Sequence, residues 1–159
     1  MKNQFKEEQK FTQWWLLLML IVITLIPIYG CYQQIVLDRK FGDKPISDKG
    51  LVIAAIVSFG ILLLFLFSKL KTSIDGKEIR INFFPFTNKV IQWNEVKSAK
   101  LITYNFVGYG IRLFTKYGTV YNTKGNKGLA IEFKNGKKIL VGTQKTEELK
   151  EVVQNVCKM

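Results

Sequence analysis

Side chains that do chemistry near neutral pH are scarce in this chain, and the scarcity is selective. None of its 159 residues is histidine, which removes the commonest general base and the commonest metal ligand. The two cysteines, Cys31 and Cys157, sit far apart, the first inside a hydrophobic run, without the paired spacing of a zinc or iron–sulfur site. No cofactor or metal is expected. Asp75, Glu78 and Glu95 are the only acids between Lys69 and Glu132, and none is placed with a second carboxylate for acid–base work. Ser73 and Ser98 have no histidine to activate them. Gly108-Tyr109-Gly110 and Gly125-Asn126-Lys127-Gly128 have the glycine density of a phosphate cradle. Neither precedes a helix or carries the trailing Lys-Ser/Thr, so both read as turns. An enzyme is not expected.

Binding is the chemistry left over. The net charge is +12, and residues 71–159 carry sixteen Lys/Arg against seven Asp/Glu, a surplus of nine. Within that stretch Arg112, Lys116, Lys124 and Lys127 interleave with Tyr117 and Tyr121. Arg112 and Lys116 are expected on one face of a strand, with Lys124 and Lys127 in the loop that follows. Arg112, Lys116, Tyr121, Lys124 and Lys127 are therefore the candidate contact with anionic headgroups or an acidic protein partner. The competing reading is a solvated basic face with its tyrosines half packed. No nucleic-acid motif accompanies the charge, and nucleic acid is not expected. Trp93-Asn94-Glu95 reads as packing at a strand end.

The elements that must position these residues begin with two apolar runs. Residues 1–13 are a short polar tail. Residues 14–37 are almost uncharged, and as a helix they span about 36 Å at ~1.5 Å per residue, enough to cross a bilayer. Trp14 and Trp15 at one end, with Tyr29 and Tyr32 near the other, suit the two membrane interfaces. Residues 38–49 form a polar connection, and residues 50–68 are apolar around the whole circumference of a second helix. The first run has features of a cleaved secretory signal, since Ile28-Tyr29-Gly30-Cys31 approximates a lipoprotein box. Tyr29 stands where a smaller residue is usual, and Glu7 and Glu8 weaken the leader, so a spanning hairpin is the preferred reading. Seven Lys/Arg flank its outer ends (Lys2, Lys6, Lys10, Lys69, Lys71, Lys77 and Arg80) against four in the connection. Under the positive-inside rule both termini are expected in the cytoplasm and residues 38–49 outside.

From Thr72 the texture changes to short alternating runs. Asp75-Gly76 marks a turn, after which Ile79, Ile81 and Phe83 alternate with polar residues as in a half-buried strand. Asn135-Gly136 between Leu129–Lys134 and Lys137–Gly142 reads as a two-residue hairpin loop. That register places Ile131 opposite Leu140 and Phe133 opposite Lys138, with Leu129, Ile131, Phe133 and Leu140 on one buried face. The last segment is helical: Leu149, Val152, Val153 and Val156 form one apolar stripe, Glu147, Glu148 and Glu151 favour its N-terminal half, and Thr143 or Thr146 caps it. About seven short strands followed by one helix describe a small antiparallel barrel or sandwich closed by that helix.

That order, directly after a membrane hairpin, resembles the bacterial pleckstrin-homology-like (PH-like) family of small two-helix membrane proteins. Ile79-Arg80-Ile81-Asn82-Phe83-Phe84-Pro85-Phe86 followed by Ile91-Gln92-Trp93-Asn94-Glu95-Val96 is similar to the family's opening strands. Gly125-Asn126-Lys127-Gly128-Leu129 and Gly142-Thr143-Gln144-Lys145-Thr146-Glu147-Glu148-Leu149 are similar to its closing hairpin and helix. Thr146 stands where the family usually has proline at the helix start. The resemblance covers residues 72–157 and implies a membrane-anchored α+β protein of the bacterial cytoplasmic membrane. It implies a binding or scaffold domain with no catalytic residues. The alternative from a different class is a small accessory subunit of a transport or envelope-stress complex, with the helices carrying the function.

Overall fold

The computed structural model describes residues 4–105 and 108–156. The chain divides into two units, one spanning Thr12–Phe67 and the other joining the residues up to Phe11 with those from Ser68 onward.

The first unit is a pair of helices, α1 (Trp14–Cys31) and α2 (Asp48–Phe67). Beyond Cys31 the first helix continues as a wider π-type turn over Tyr32–Val36. Trp14–Val36 and Asp48–Phe67, with mean hydropathies of 2.2 and 2.8, are long and apolar enough to cross a membrane. Most of their Leu, Ile and Val side chains face outward, and Leu20, Thr24, Gly30 and Leu51 are the residues buried among those described. Thr24 ties the two helices together: its hydroxyl lies 2.8 Å from Leu20 O, within its own helix, and 3.3 Å from Ser58 O on α2. At the connecting end the Gln34 amide donates to Ile46 O and to the Asp48 carboxylate at 2.8 and 2.6 Å. Asp48 begins α2 two residues earlier than the apolar run suggests, as an acid suits a helix N-terminus.

The second unit contains nine strands and a closing helix among the described residues. Four strands form one antiparallel sheet in the order β1 (Phe5–Lys10), β2 (Lys69–Ile74), β3 (Glu78–Phe84), β4 (Thr87–Gln92). The other five form a second sheet in the order β5 (Val96–Thr103), β8 (Lys127–Phe133), β9 (Lys138–Gly142), β7 (Gly118–Asn122), β6 (Gly110–Thr115). Two sheets with free edges, and no closed barrel, correct the barrel alternative. The count of nine replaces the expected seven. Helix α3 (Thr146–Val156) follows.

The largest departure from the sequence reading is β1. Residues 1–13 look like a polar tail, yet Phe5–Lys10 pairs with β2 over its whole length, Phe5 against Ile74 and Lys10 against Lys69. Every second residue points inward: Phe5, Glu7 and Gln9 are buried. The unit accordingly starts at Ser68 rather than Thr72 on its second pass. Its core joins Phe5, Leu70, Ile79, Ile81 and Phe83 of the first sheet to Tyr121, Leu129, Ile131 and Val141 of the second, with Leu149, Val152 and Val153 of α3.

The β8–β9 hairpin differs from its expected register by one residue. Ile131 pairs with Ile139 and Glu132 with Lys138, because the loop holds three residues. Phe133 N donates to Lys137 O, Gly136 N donates to Phe133 O, and Gly136 takes φ +79°, the left-handed third position of such loops. A one-residue slip turns every side chain of the strand over. Leu140 therefore leaves the face it was expected to share with Ile131 and joins Val120 and Tyr104 on the opposite side of the sheet. β7 runs parallel to β9. At its first residue, Gly118 (φ +76°), a Cβ would collide with the Lys138 carbonyl, so glycine is what lets β7 start there.

The turn expected at Asp75-Gly76 forms one residue later: Asp75 N donates to Glu78 O, so Gly76 and Lys77 are its two central residues. Asp75 Oδ1 accepts the N–H groups of Lys77 and Glu78 at 2.8 and 3.0 Å, and these bonds hold its carboxyl below the ordinary range. Trp93 is structural: its indole N–H donates to Asp75 O at 2.7 Å and pins this turn.

Candidate functional site

The five-stranded sheet has an inner face that builds the core and an outer face that does not. Strand alternation puts Arg112, Val120, Leu140, Ala130 and Lys100 in one row on the outer face, each paired with the next across the sheet. The adjacent row holds Lys138, Glu132 and Ser98. Tyr104, Val120 and Leu140 are buried there, with Ile102, Tyr117 and Ala130 packed against them. Beside this apolar floor lies a concavity of about 430 Å³, rimmed by Lys100, Lys116, Lys138 and Glu132.

Its electrostatics are those of a cationic ring around one acid. Lys97 Nζ lies 3.0 Å from the Glu132 carboxylate. That bond holds the Glu132 carboxyl below the ordinary range, with smaller contributions from Lys138 and Lys100. Lys116 Nζ stands 5.0 Å from the centre of the Tyr117 ring, a cation–π geometry. Tyr117 meets Tyr104 edge-on at 6.0 Å. Burial pushes the Tyr104 hydroxyl up to about 12, so it stays protonated near neutral pH. The arrangement can hold an anionic group against an apolar surface.

The residues singled out from sequence do not form one surface. Tyr121 is 2% exposed and belongs to the inner core, where Lys89 Nζ lies 5.7 Å from its ring centre. Lys116 falls in the turn after β6 rather than on the strand: beyond a register shift between Arg112 and Thr115, with Phe114 at φ +58°, Thr115 pairs with Gly118, and Lys116 and Tyr117 are the two residues between them. Lys124 lies in the loop beyond Asn122, past the opposite end of β7 from Lys116. Lys127 opens β8 beside Thr103, on the opposite parity from Gly128 of the outer face. Arg112 shares the outer face with Lys100, but four strand steps of ~4.8 Å, about 19 Å, separate them. Of the five, Lys116 alone joins the concavity.

Lys100 reaches this face by pairing with Ala130 of β8, which no local pattern shows, and the two-residue loop read from sequence sets Lys138 opposite Phe133. A three-residue loop would have placed it beside Glu132. Neither glycine pair opens a helix: Gly108 and Gly125, both at positive φ, lie in the connections ahead of β6 and β8, while Gly110 and Gly128 belong to those strands. Phe106 and Val107 lie outside the described residues, as does Cys157. Trp14, Trp15, Tyr29 and Tyr32 are all exposed on the helical unit. Tyr29 accepts a hydrogen bond from the Gln33 amide and meets Phe41 edge-on. No family model matches this chain, and no curated protein matches its sequence.

Proposed function

We propose that this protein is a membrane-tethered binding module. Two spanning helices hold a PH-like β unit at the cytoplasmic face of a bacterial membrane, and the outer face of the five-stranded sheet engages an acidic segment of a partner protein. The observation that carries the reading is the convergence of Lys100, Lys116 and Lys138 on a concavity floored by Tyr117, Ile102 and Ala130. Glu132 among them favours a peptide over a phosphate headgroup. A carboxylate repels a phosphate, whereas a peptide brings N–H donors for it as well as acids for the lysines.

The test uses the full chain in nanodiscs, titrated with an acidic peptide and, separately, compared between neutral and anionic lipid. Lys100→Gln, Lys116→Gln and Lys138→Gln combined should weaken peptide binding about tenfold, at ~0.5 kcal/mol for each exposed contact. The remaining binding should fall with salt. All three side chains are exposed, so the melting curve should barely move. Unchanged peptide affinity overturns the reading, and a loss confined to anionic lipid replaces the peptide with a headgroup.

Orientation is tested apart from binding, after Cys31 and Cys157 are replaced by serine. Ser47→Cys should react with an impermeant thiol reagent in intact cells, while Asn135→Cys should react only after the membrane is opened. Both positions are exposed on the protein, so the reverse pattern would invert the topology rather than reflect burial.

A further inference from the structure

The two ends of the four-stranded sheet are chemically unlike. At one end β2 and β3 are joined by Asp75, Gly76 and Lys77, a polar turn of the usual kind. At the other, β3 and β4 are joined by Pro85 and Phe86, and the tip carries aromatic rings into the open: Phe84 is 55% and Phe86 56% exposed. The tip is ordered from below. Phe86 N donates to Phe83 O at 2.7 Å. The Phe86 ring lies 5.9 Å from that of buried Phe83, which in turn meets Phe11 edge-on at 6.2 Å.

Register shows what this apolar end is next to. Phe84 pairs with Lys69, and Lys69 pairs with Lys10. Lys69 stands two residues after Phe67, where α2 ends, and Lys10 four residues before Trp14, where α1 begins. Two residues reach at most about 7 Å and four about 14 Å. The exposed rings therefore lie at the end of the sheet through which the chain passes to and from its two apolar helices. If those helices cross a bilayer, that end is held close to the interfacial layer, which extends about 5–7 Å beyond the hydrocarbon on each side. Lys10, Lys69 and Lys71 stand on the two strands to one side of the tip and, with Glu8 between them, leave a net positive charge there, as suits an anionic leaflet. Lys69 and Lys71 both contact Glu8, at 3.4 and 3.1 Å, so their chains are drawn to the sheet and leave the rings uncovered.

From this placement we infer that Phe84-Pro85-Phe86 is a third membrane contact, its two rings entering the interfacial layer of the leaflet from which α1 starts and in which α2 ends. The inference rests on the reading of α1 and α2 as spanning helices. Tethering makes the step intramolecular, so a gain too small to recruit a free protein suffices to hold an attached one. The consequence is orientation. A sheet fixed to the bilayer by two chain connections and one aromatic tip stands on that end, with the Asp75–Lys77 turn pointing away, instead of swinging on its connections.

The experiment uses the full chain with Cys31→Ser and Cys157→Ser, reconstituted in vesicles of phosphatidylcholine and phosphatidylglycerol. A polarity-sensitive fluorophore is attached to Phe86→Cys or, at the far end of the same sheet, to Lys77→Cys. The label at 86 should be quenched several-fold more by a lipid spin-labelled near its headgroup, and several-fold less by aqueous iodide, than the label at 77. A second series keeps both rings and carries the label at Asn88→Cys. There Phe84→Ser with Phe86→Ser should raise iodide quenching several-fold while the cooperative melt is kept, because both rings are more than half exposed. Equal iodide access at 86 and 77, or no change at 88, in a protein that resists alkaline carbonate extraction overturns the third contact and leaves the helices in the membrane. Extraction by carbonate shows instead that the spanning reading itself has failed, and the inference falls with it.

Discussion

Removing residues 2–10 should unfold the β unit rather than trim it. Phe5 is fully buried in the core, and losing a core phenylalanine costs about 3–5 kcal/mol by itself. The polar residues of the strand reach across to the other sheet. Gln9 donates to Gly142 O at 2.8 Å and accepts from the Thr123 hydroxyl at 2.6 Å. Glu7 accepts from the Thr143 hydroxyl at 2.7 Å and from Gln144 N at 2.8 Å, directly ahead of α3. Three of these four bonds are buried, and each buried group left unpaired costs about 1–3 kcal/mol. The sum reaches the whole stability of an ordinary domain, roughly 5–15 kcal/mol. In detergent, the deletion should abolish the cooperative melt, and Phe5→Ala should lower stability by about 3–5 kcal/mol while keeping the same transition. A deletion variant that melts like the parent would show β1 to be dispensable. The converse construction should succeed: a short glycine-rich linker from Phe11 to Ser68 should give a soluble, folded β unit. Lys10 and Lys69 are already paired neighbours, so the helical hairpin is an insertion in the turn of the β1–β2 hairpin.

Why β1 was illegible follows from its side chains. Its alternation is regular, but Phe5 is the sole apolar member, and the burial of Glu7 and Gln9 makes sense only once Thr123, Gly142, Thr143 and Gln144 are beside them. Those partners stand more than a hundred residues away in the chain, and no local window contains them. Elements that announce themselves do so through local apolar pattern. The two helices show it as uninterrupted runs, β3 as Ile79, Ile81 and Phe83, and α3 as its stripe. The basic site was half legible for a related reason. Composition locates the charge in the β unit, but which lysines converge depends on one residue of loop length between β8 and β9 and on the bulge at Phe114. Local pattern points to Lys116 but not to Lys100 or Lys138, and it leaves Tyr121 on the surface although its side chain alternates into the core.

Deleting Thr146–Met159 should likewise cost the β unit its cooperative transition, and for a separable reason. The deletion keeps Thr143 and Gln144, so the two bonds to Glu7 survive and only α3 is lost. Leu149, Val152 and Val153 are each no more than 5% exposed, and burying three such side chains contributes on the order of 5–9 kcal/mol. Their removal uncovers the inward surface of β1 and β5 where the helix lies. The helix depends on that surface in turn, since its 11 residues are too few to hold a helix in water without packing. Glu147 and Glu148 in the first turn help the start, at a few tenths of a kcal/mol to about 1 kcal/mol, well short of what folding the segment requires. Leu149→Ala gives the graded version, about 2–5 kcal/mol for a core leucine. The truncated chain should keep strand circular dichroism, bind a hydrophobic dye and lose its sharp melt, the signature of sheets without fixed packing. If it melts cooperatively within about 1 kcal/mol of the parent, the two sheets close on each other unaided, and the stripe on α3 faces a surface that does not need it.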